Sequence, residues 1–235
     1  MTSRASRRPF ELLVFDWDGT VMDSIGAIVD CTFAALESLG DLAGHELPPR
    51  DKVRHAIGMG LLETMHEFFP GAGPELHSRV LEAYREQWVT IYKDRFHPFE
   101  GTRATLEALA AEGYLLGVAT AKSRRGLVRD FERSGLGPLF QATRTVDEAP
   151  SKPHPGMLEG LFEELGVAPG AALMIGDTNW DLEMASNAGC AAVGVLSGAQ
   201  SEERLAVCEP LALLPDVTAL PPFLSGLRLR AAAGG

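Results

Sequence analysis

Two aspartates separated by a single residue open the motif DWDGT at residues 16–20. Carboxylates at this spacing can bind a hard cation while one oxygen, here on Asp16 or Asp18, stays free for nucleophilic attack. Aspartate, glycine and threonine are also ordinary turn formers, so the same residues could merely end a strand. The motif therefore has a catalytic interpretation and a structural one.

A second acidic motif, GDTNWD at residues 176–181, contains Asp177 and Asp181 and follows another apolar run. An aspartate at a helix start often serves as an N-cap, and Asp181 could act partly in that way. If both acidic motifs lie at the ends of parallel strands, however, their carboxylates converge and repel one another. A divalent metal ion would relieve that repulsion, and the two motifs together predict one.

Thr120 and Lys152 are two further polar residues in suggestive places. Thr120 directly follows the apolar run 115–119, and Lys152 lies in the stiff segment SKPHP at residues 151–155. The two prolines that follow the lysine stiffen this segment and restrict the directions from which the lysine side chain can approach. A strand-end threonine and a surface lysine are both common without any function, so these residues gain weight only from the motifs beside them.

Alternation of apolar runs and helical segments predicts an α/β fold with a Rossmann-like parallel sheet. Short continuous apolar runs are typical of strands buried on both faces. Helical periodicity ending at a glycine separates the later runs. Parallel strands place their carboxyl ends at one edge, where ligands bind. The predicted strands are 12–15, 115–119, 172–175 and 191–195, and the predicted helices are 124–133, 155–165 and 181–188.

The segment 24–95 interrupts this alternation, because its apolar residues recur with helical spacing and it contains no convincing strand. We therefore predict a helical insertion after the first strand. The catalytic core would comprise 1–23 and 96–235, and the insertion 24–95 would cover the functional edge as a lid.

The amino-acid composition restricts which binding partners and which cellular location we expect. The chain has 235 residues, 46% hydrophobic and 23% charged, and a net charge of −11. Such a charge disfavours nucleic acid and anionic membranes, although a metal or a few lysines can still attract a small anionic substrate. Three scattered cysteines predict a reducing, cytoplasmic location. We expect the basic start MTSRASRR to be a frayed leader and the last ten residues to form a loose tail.

Four segments in order, DWDGTVMDS, VATAK, SKPHP and GDTNWD, resemble the haloacid dehalogenase (HAD) superfamily of phosphohydrolases. The resemblance covers nearly the whole chain. The helical insertion is similar to the C1 cap of the branch that contains phosphoglycolate phosphatases. The resemblance thus implies a HAD-like α/β core with a C1 cap after the first strand.

By this resemblance, Asp16 is the nucleophile that forms an aspartyl-phosphate. Asp18 is the general acid that protonates the leaving oxygen and later activates water. Thr120, Ala121 and Lys152 would hold the phosphoryl oxygens. Dehalogenases of the superfamily lack an acid two residues after the nucleophile, so Asp18 favours phosphate ester cleavage over carbon–halogen cleavage.

The resemblance also implies a Mg²⁺ site. Its ligands would be the Asp16 and Asp177 carboxylates and the backbone carbonyl of Asp18, while Asp181 supports the water shell of the metal. In the insertion, Gly58 and Gly60 belong to a glycine-containing loop similar to one that faces the active site. That loop could equally be a plain turn. Lys122 could meet a carboxylate of the substrate.

The function predicted in this way is a Mg²⁺-dependent phosphatase that acts on a small, phosphoglycolate-like phosphomonoester, as a monomer or weak homodimer. Two alternatives remain. A phosphosugar mutase would share the motifs and the cap, and a non-catalytic phospho-ligand binding protein could use the same fold.

Overall fold

The computed structural model describes residues 8–233, with side chains as far as residue 229, and its centre is a six-stranded parallel sheet. The strand order is β5-β4-β1-β6-β7-β8, which confirms the predicted α/β class. Residues 1–7, the bulk of the predicted leader, lie outside the described residues. The strands are β1 Leu12–Phe15, β2 Met22–Asp23, β3 His97–Pro98, β4 Leu115–Thr120, β5 Ala142–Thr145, β6 Ala172–Gly176, β7 Ala191–Val195 and β8 Leu213–Leu214.

The central strand β1 shows why its sequence is a continuous apolar run. All four of its residues are buried. Leu13 and Phe15 belong to the core on one face of the sheet, and Leu12 and Val14 to the core on the other. Because side chains alternate across a strand, a strand covered on both faces needs apolar residues at every position.

The segment 24–95 is helical and lies between β2 and β3, which pair antiparallel with Met22 opposite Pro98. It has its own apolar core, to which Ala199 of the remaining chain also contributes. Its longest helices, α1 and α4, pack against each other. Its helices are α1 Ile25–Leu39, α2 Arg50–His55, α3 Leu61–Phe68 and α4 Pro74–Gln87, followed by a π-helical turn at Trp88–Tyr92.

Six further helices flank the sheet. Gly135 and Gly166 end two of them in the left-handed conformation, as the sequence predicts. The prediction of a loose tail at 226–235 is wrong for the described residues, because 226–233 continue the last helix and Leu227 packs against the core. No helix in the described part of the chain is long and apolar enough to cross a membrane. These helices are α5 Thr102–Ala111, α6 Arg124–Ser134, α7 Gly156–Leu165, α8 Asn179–Asn187, α9 Glu202–Ala206 and α10 Leu220–Ala233.

Candidate active site

The loop after β1 carries the first two aspartates and is anchored by Trp17 between them. The Trp17 side chain is fully buried, packs edge-on against Phe131 at 5.1 Å between ring centroids, and donates Nε1–H to Asp130 at 3.0 Å. The Asp16 amide donates to the carbonyl of Ile175 at 2.9 Å. Trp17 thus points into the core, and the loop is held beside the end of β6.

Glycine is the residue type that this loop requires at position 19, where the backbone turns most tightly. Its φ is +88°, a left-handed conformation that side chains disfavour. A Cβ atom there would overlap the carboxylate of Asp177. Gly198 approaches Asp177 from another loop, and a Cβ atom there would overlap the same carboxylate. The two glycines therefore form a cradle that only a small backbone can line.

Three buried carboxylates, of Asp16, Asp177 and Asp181, place oxygens within 4.8 Å of one another at the ends of β1 and β6. Burial raises the pKa of Asp177 to about 7, with the charge of Asp181 adding to the effect. Burial also raises the pKa of Asp16, although Lys152 partly opposes it. The structure thus brings together the two acidic motifs of the sequence.

Lys152 supplies the positive charge of this cluster. Its Nζ lies 2.6 Å from Asp16 Oδ1 and 2.6 Å from Asp181 Oδ1, and its side chain is fully buried. Burial alone would lower the pKa of Lys152, but the two carboxylates outweigh it and hold the pKa above its ordinary value. Lys152 is therefore a buried cation and not the surface lysine of the structural interpretation.

The residues present fit a divalent cation. One ammonium group faces three carboxylates, so the buried cluster holds an excess of negative charge whenever all three are ionised. Both oxygens of Asp181 are engaged, Oδ1 with Lys152 and Oδ2 with the Thr178 hydroxyl at 2.6 Å. Both oxygens of Asp177 are engaged as well, so these contacts do not rank the three aspartates as direct ligands. An all-oxygen donor set suits a hard cation such as Mg²⁺.

Asp18 points to a different group of residues. Its Oδ1 accepts hydrogen bonds from Ser24 Oγ at 2.6 Å and from Lys122 Nζ at 3.0 Å. Lys122 also binds Asp130 at 2.7 Å. The Thr120 hydroxyl accepts from the Lys122 amide at 3.1 Å, which fixes both residues at the end of β4.

A cavity of about 410 Å³ opens between this edge of the sheet and the helical segment. Asp16, Asp18, Thr120, Ala121 and Lys122 line it from the sheet side. Of the two glycines predicted to face the site, Gly58 lines the cavity. Gly60 instead lies against the side chains of Glu63 and Ser151.

Several residues that complete the site escape sequence reasoning. Thr20 donates its hydroxyl to Asp177 Oδ1 at 2.8 Å, and the Ala199 amide donates to Asp177 Oδ2 at 2.8 Å. Thr20 belongs to the first motif and was within reach of the sequence argument. Ser24 also lies in the first motif segment, at the end of DWDGTVMDS, whereas Ala199 and Asp130 have no local signal, because only the tertiary fold brings them to the site.

Comparison with known proteins decides the family. The model of the haloacid dehalogenase-like hydrolases matches residues 13–195. The chain belongs to this family. It is 33% identical over 208 residues to "Probable phosphatase IndB" of Dickeya dadantii (strain 3937), covering 85% of this chain and 86% of that protein.

Other relatives of this hydrolase agree with the assignment. A phosphoglycolate phosphatase of Vibrio vulnificus (strain YJ016) is 28% identical over 210 residues, covering 87% of this chain and 92% of that protein. Among solved structures, a hydrolase from Pseudomonas syringae superposes with a TM-score of 0.83. It is 22% identical and covers 93% of this chain and 99% of that one, so it supports the fold alone.

Proposed function

We propose that this hydrolase is a Mg²⁺-dependent phosphatase that cleaves a small phosphomonoester through an aspartyl-phosphate on Asp16. The observation that carries the proposal is the buried group of Asp16, Lys152 and Asp177 beside a cavity that Asp16 and Asp18 line. Two of its relatives bear the names of phosphatases, one of them a phosphoglycolate phosphatase.

Asp16 attacks phosphorus with its carboxylate. The nearby ammonium of Lys152, 2.6 Å from Oδ1, opposes the effect of burial and favours the ionised form that attack requires. Splitting hydrolysis into two displacements makes each step easier. In the second displacement, water attacks the phosphoryl group and Asp16 leaves.

Asp18 moves the protons. It lines the cavity, where it can protonate the leaving alcohol oxygen and later remove a proton from the attacking water. Ser24 and Lys122 hold its Oδ1 and leave the other carboxylate oxygen available for that transfer. Thr120, Ala121 and Lys152 orient the phosphoryl oxygens.

The carboxylates of Asp16 and Asp177 and the backbone carbonyl of Asp18 would hold Mg²⁺, with Asp181 supporting its water shell. When bound, the metal neutralises negative charge on the phosphoryl group. The segment 24–95 acts as the cap that excludes water from this site. A small-molecule substrate, a cytoplasmic location and a monomer or weak homodimer complete the proposal.

The decisive assay measures phosphate release from a panel of phosphoesters with Mg²⁺ and with EDTA. Phosphoglycolate, hexose phosphates, nucleotides and pyrophosphate form the panel. We expect turnover with Mg²⁺, none with EDTA, and none for Asp16→Asn, which keeps the shape of the side chain but loses its nucleophilic oxygen. Asp23→Asn, at an exposed position seven residues later, is the matched control and should remain active.

Turnover that persists in EDTA would contradict the proposed requirement for Mg²⁺. An active Asp16→Asn variant would contradict the assignment of Asp16 as the nucleophile. A mutase would instead interconvert hexose phosphates without releasing phosphate. A binding protein would leave every ester intact.

A further inference from the structure

The cavity has two chemically different halves. The half nearest the sheet presents the charged and polar groups of Asp16, Asp18, Thr120 and Lys122. The half formed by the cap is mainly apolar and includes Val53, Ile57, Met65, Phe68, Val80 and Trp88. A phosphate bound at the acidic end would therefore direct its leaving group toward apolar side chains.

The cap wall is mainly apolar, and its polar groups are the hydroxyls of Thr32, Thr64 and Tyr84 and the exposed guanidinium of Arg85. Thr32 donates its hydroxyl proton to the Ile28 carbonyl at 2.8 Å, and Thr64 donates to the Gly60 carbonyl at 2.9 Å. Both protons are thus committed within their own helices. Burying sugar hydroxyls against such a wall would leave polar groups unpaired, which is costly.

The arginines that reach the cavity lie toward solvent. Arg85 and Arg125 are exposed and Arg129 is half-buried, so they belong to the mouth of the cavity. In a chain of net charge −11, three guanidinium groups at the mouth favour the approach of a phosphate dianion. They do not change the apolar character of the wall behind them.

We propose that the preferred substrates are phosphomonoesters whose leaving group has an apolar or aromatic body larger than the two carbons of glycolate. This inference rests on the proposed phosphatase function. A volume of about 410 Å³ lies within the range of pockets that enclose whole drug-sized ligands, roughly 300–1,000 Å³. Tyr84 and Trp88, stacked at 6.0 Å, add an aromatic surface to this half of the cavity.

The first experiment measures kcat/KM for a series of straight-chain alkyl phosphates from ethyl to hexyl, beside phosphoglycolate and glucose 6-phosphate. The leaving alcohols of the series have nearly equal basicity, so the series isolates burial of the chain. We expect kcat/KM to rise by up to about fourfold per methylene. Hexyl phosphate should exceed both phosphoglycolate and glucose 6-phosphate.

A flat alkyl series together with efficient hydrolysis of phosphoglycolate or glucose 6-phosphate would overturn the substrate class and leave the phosphatase proposal intact. Absence of phosphate release from every ester in Mg²⁺ would overturn the phosphatase proposal, and this inference with it.

A second experiment fills the cavity from helix α1. Ala35 lines it and is fully buried, whereas its neighbour Ala34 is half-buried and lies off the wall. Ala35→Leu should reduce the hexyl-to-ethyl ratio of kcat/KM about tenfold or more, and Ala34→Leu should leave the ratio unchanged. An unchanged ratio in folded Ala35→Leu would overturn the proposal. If that variant does not fold, the alkyl series on the unmodified chain decides the question.

Discussion

Lys152 links the two acidic motifs. Its ammonium contacts Asp16 of the first motif and Asp181 of the second, and these motifs follow different strands. Removing it would leave three carboxylates buried without an internal cation, a strongly destabilising change for a buried pair. Lys152 therefore stabilises the buried cluster in addition to the phosphate-binding role that we propose for it. Its long side chain is buried beneath the cavity, where substitution by a shorter cation would break one of the two contacts.

The proton-transfer role proposed for Asp18 can be tested separately from the proposed metal binding. Asp18→Ala should lower kcat by about 10²–10⁴-fold, the usual contribution of general acid–base catalysis. The metal is expected to use the backbone carbonyl of this residue, so the rise in melting temperature on adding Mg²⁺ should persist. A loss below roughly tenfold would mean that Asp18 is not the proton donor. Asp23→Ala, at an exposed site, controls for general effects of losing a carboxylate there.

The titration of Asp177 predicts how stability depends on pH. Burial raises its pKa from 3.8 to about 7, so the metal-free fold favours the protonated form. Its contribution to stability is present at low pH and is lost as the pH rises toward and through 7. The raised pKa of Asp16, which burial also causes, acts in the same direction.

Mg²⁺ bound as proposed would require the ionised carboxylates and should offset this loss. We therefore expect the Mg²⁺-induced rise in melting temperature to be larger at about pH 8 than at about pH 5.5. Thermal unfolding recorded in Mg²⁺ and in EDTA at both pH values measures this rise in melting temperature. An equal or smaller rise at the higher pH would contradict the assignment of Asp177 as a metal ligand.

At the scale of elements, helix α2 of the cap contacts the loop that orients Asp177. Arg54 donates to the carbonyls of Gly198 at 2.5 Å and Ala199 at 2.8 Å. The amide of Ala199 in turn donates to Asp177 Oδ2. A cap residue thus restrains the backbone that holds a proposed metal ligand, so cap position and metal binding should be linked.

Arg54→Met tests this link, since it removes both hydrogen bonds and keeps an unbranched side chain. We expect the Mg²⁺ concentration for half-maximal activity to rise by roughly two- to tenfold, equivalent to about 0.5–1.5 kcal/mol. Lys52→Met is the control, because Lys52 lies on the same helix but binds Glu67 within the cap. Equal Mg²⁺ requirements for the two variants would argue against the link.

The elements that the sequence predicts correctly are those with a strong local pattern. Strands β1, β4, β6 and β7 are continuous apolar runs, and predicted site residues lie at the ends of the first three. Strand β5 has the sequence ATRT and β8 is only two residues long, so neither presents an apolar run. Their pairing is decided by neighbouring strands, which local reasoning does not reveal.

The same distinction applies to the site. Asp16, Asp177 and Lys152 lie in motifs, and the structure brings them together as expected. Asp130 and Arg54 lie in helices with no unusual local pattern. They reach the site because the fold packs α6 and α2 against the loops. The residues that determine this packing are spread over the whole chain.

At the scale of the molecule, the cap enters and leaves the core through adjacent strands, since Asp23 of β2 lies opposite His97 of β3. Replacing 24–95 by a short linker should therefore leave the sheet folded, with the three carboxylates of the proposed metal site in place. Weak turnover of an activated aryl phosphate should remain, and discrimination among alkyl phosphates should be lost. Circular dichroism and gel filtration must first show a folded, soluble core, because the deletion exposes apolar surface.

Unchanged ranking of substrates in the folded deletion variant would mean that the cap does not determine specificity. A core that fails to fold without the cap would show that the two parts are energetically inseparable.

The central position of β1 has a consequence for the order of events during synthesis on the ribosome. Leu12 pairs with Leu115 of β4 and with Ala172 of β6, so one of its partners emerges long after it. At roughly 5–20 residues per second, β6 follows β1 by about 8–30 s. The cap helices, which find nearly all of their partners among themselves, are complete much earlier. We therefore expect the cap helices to pack together first on the nascent chain, while β1 stays unpaired until its partner strands have been synthesised.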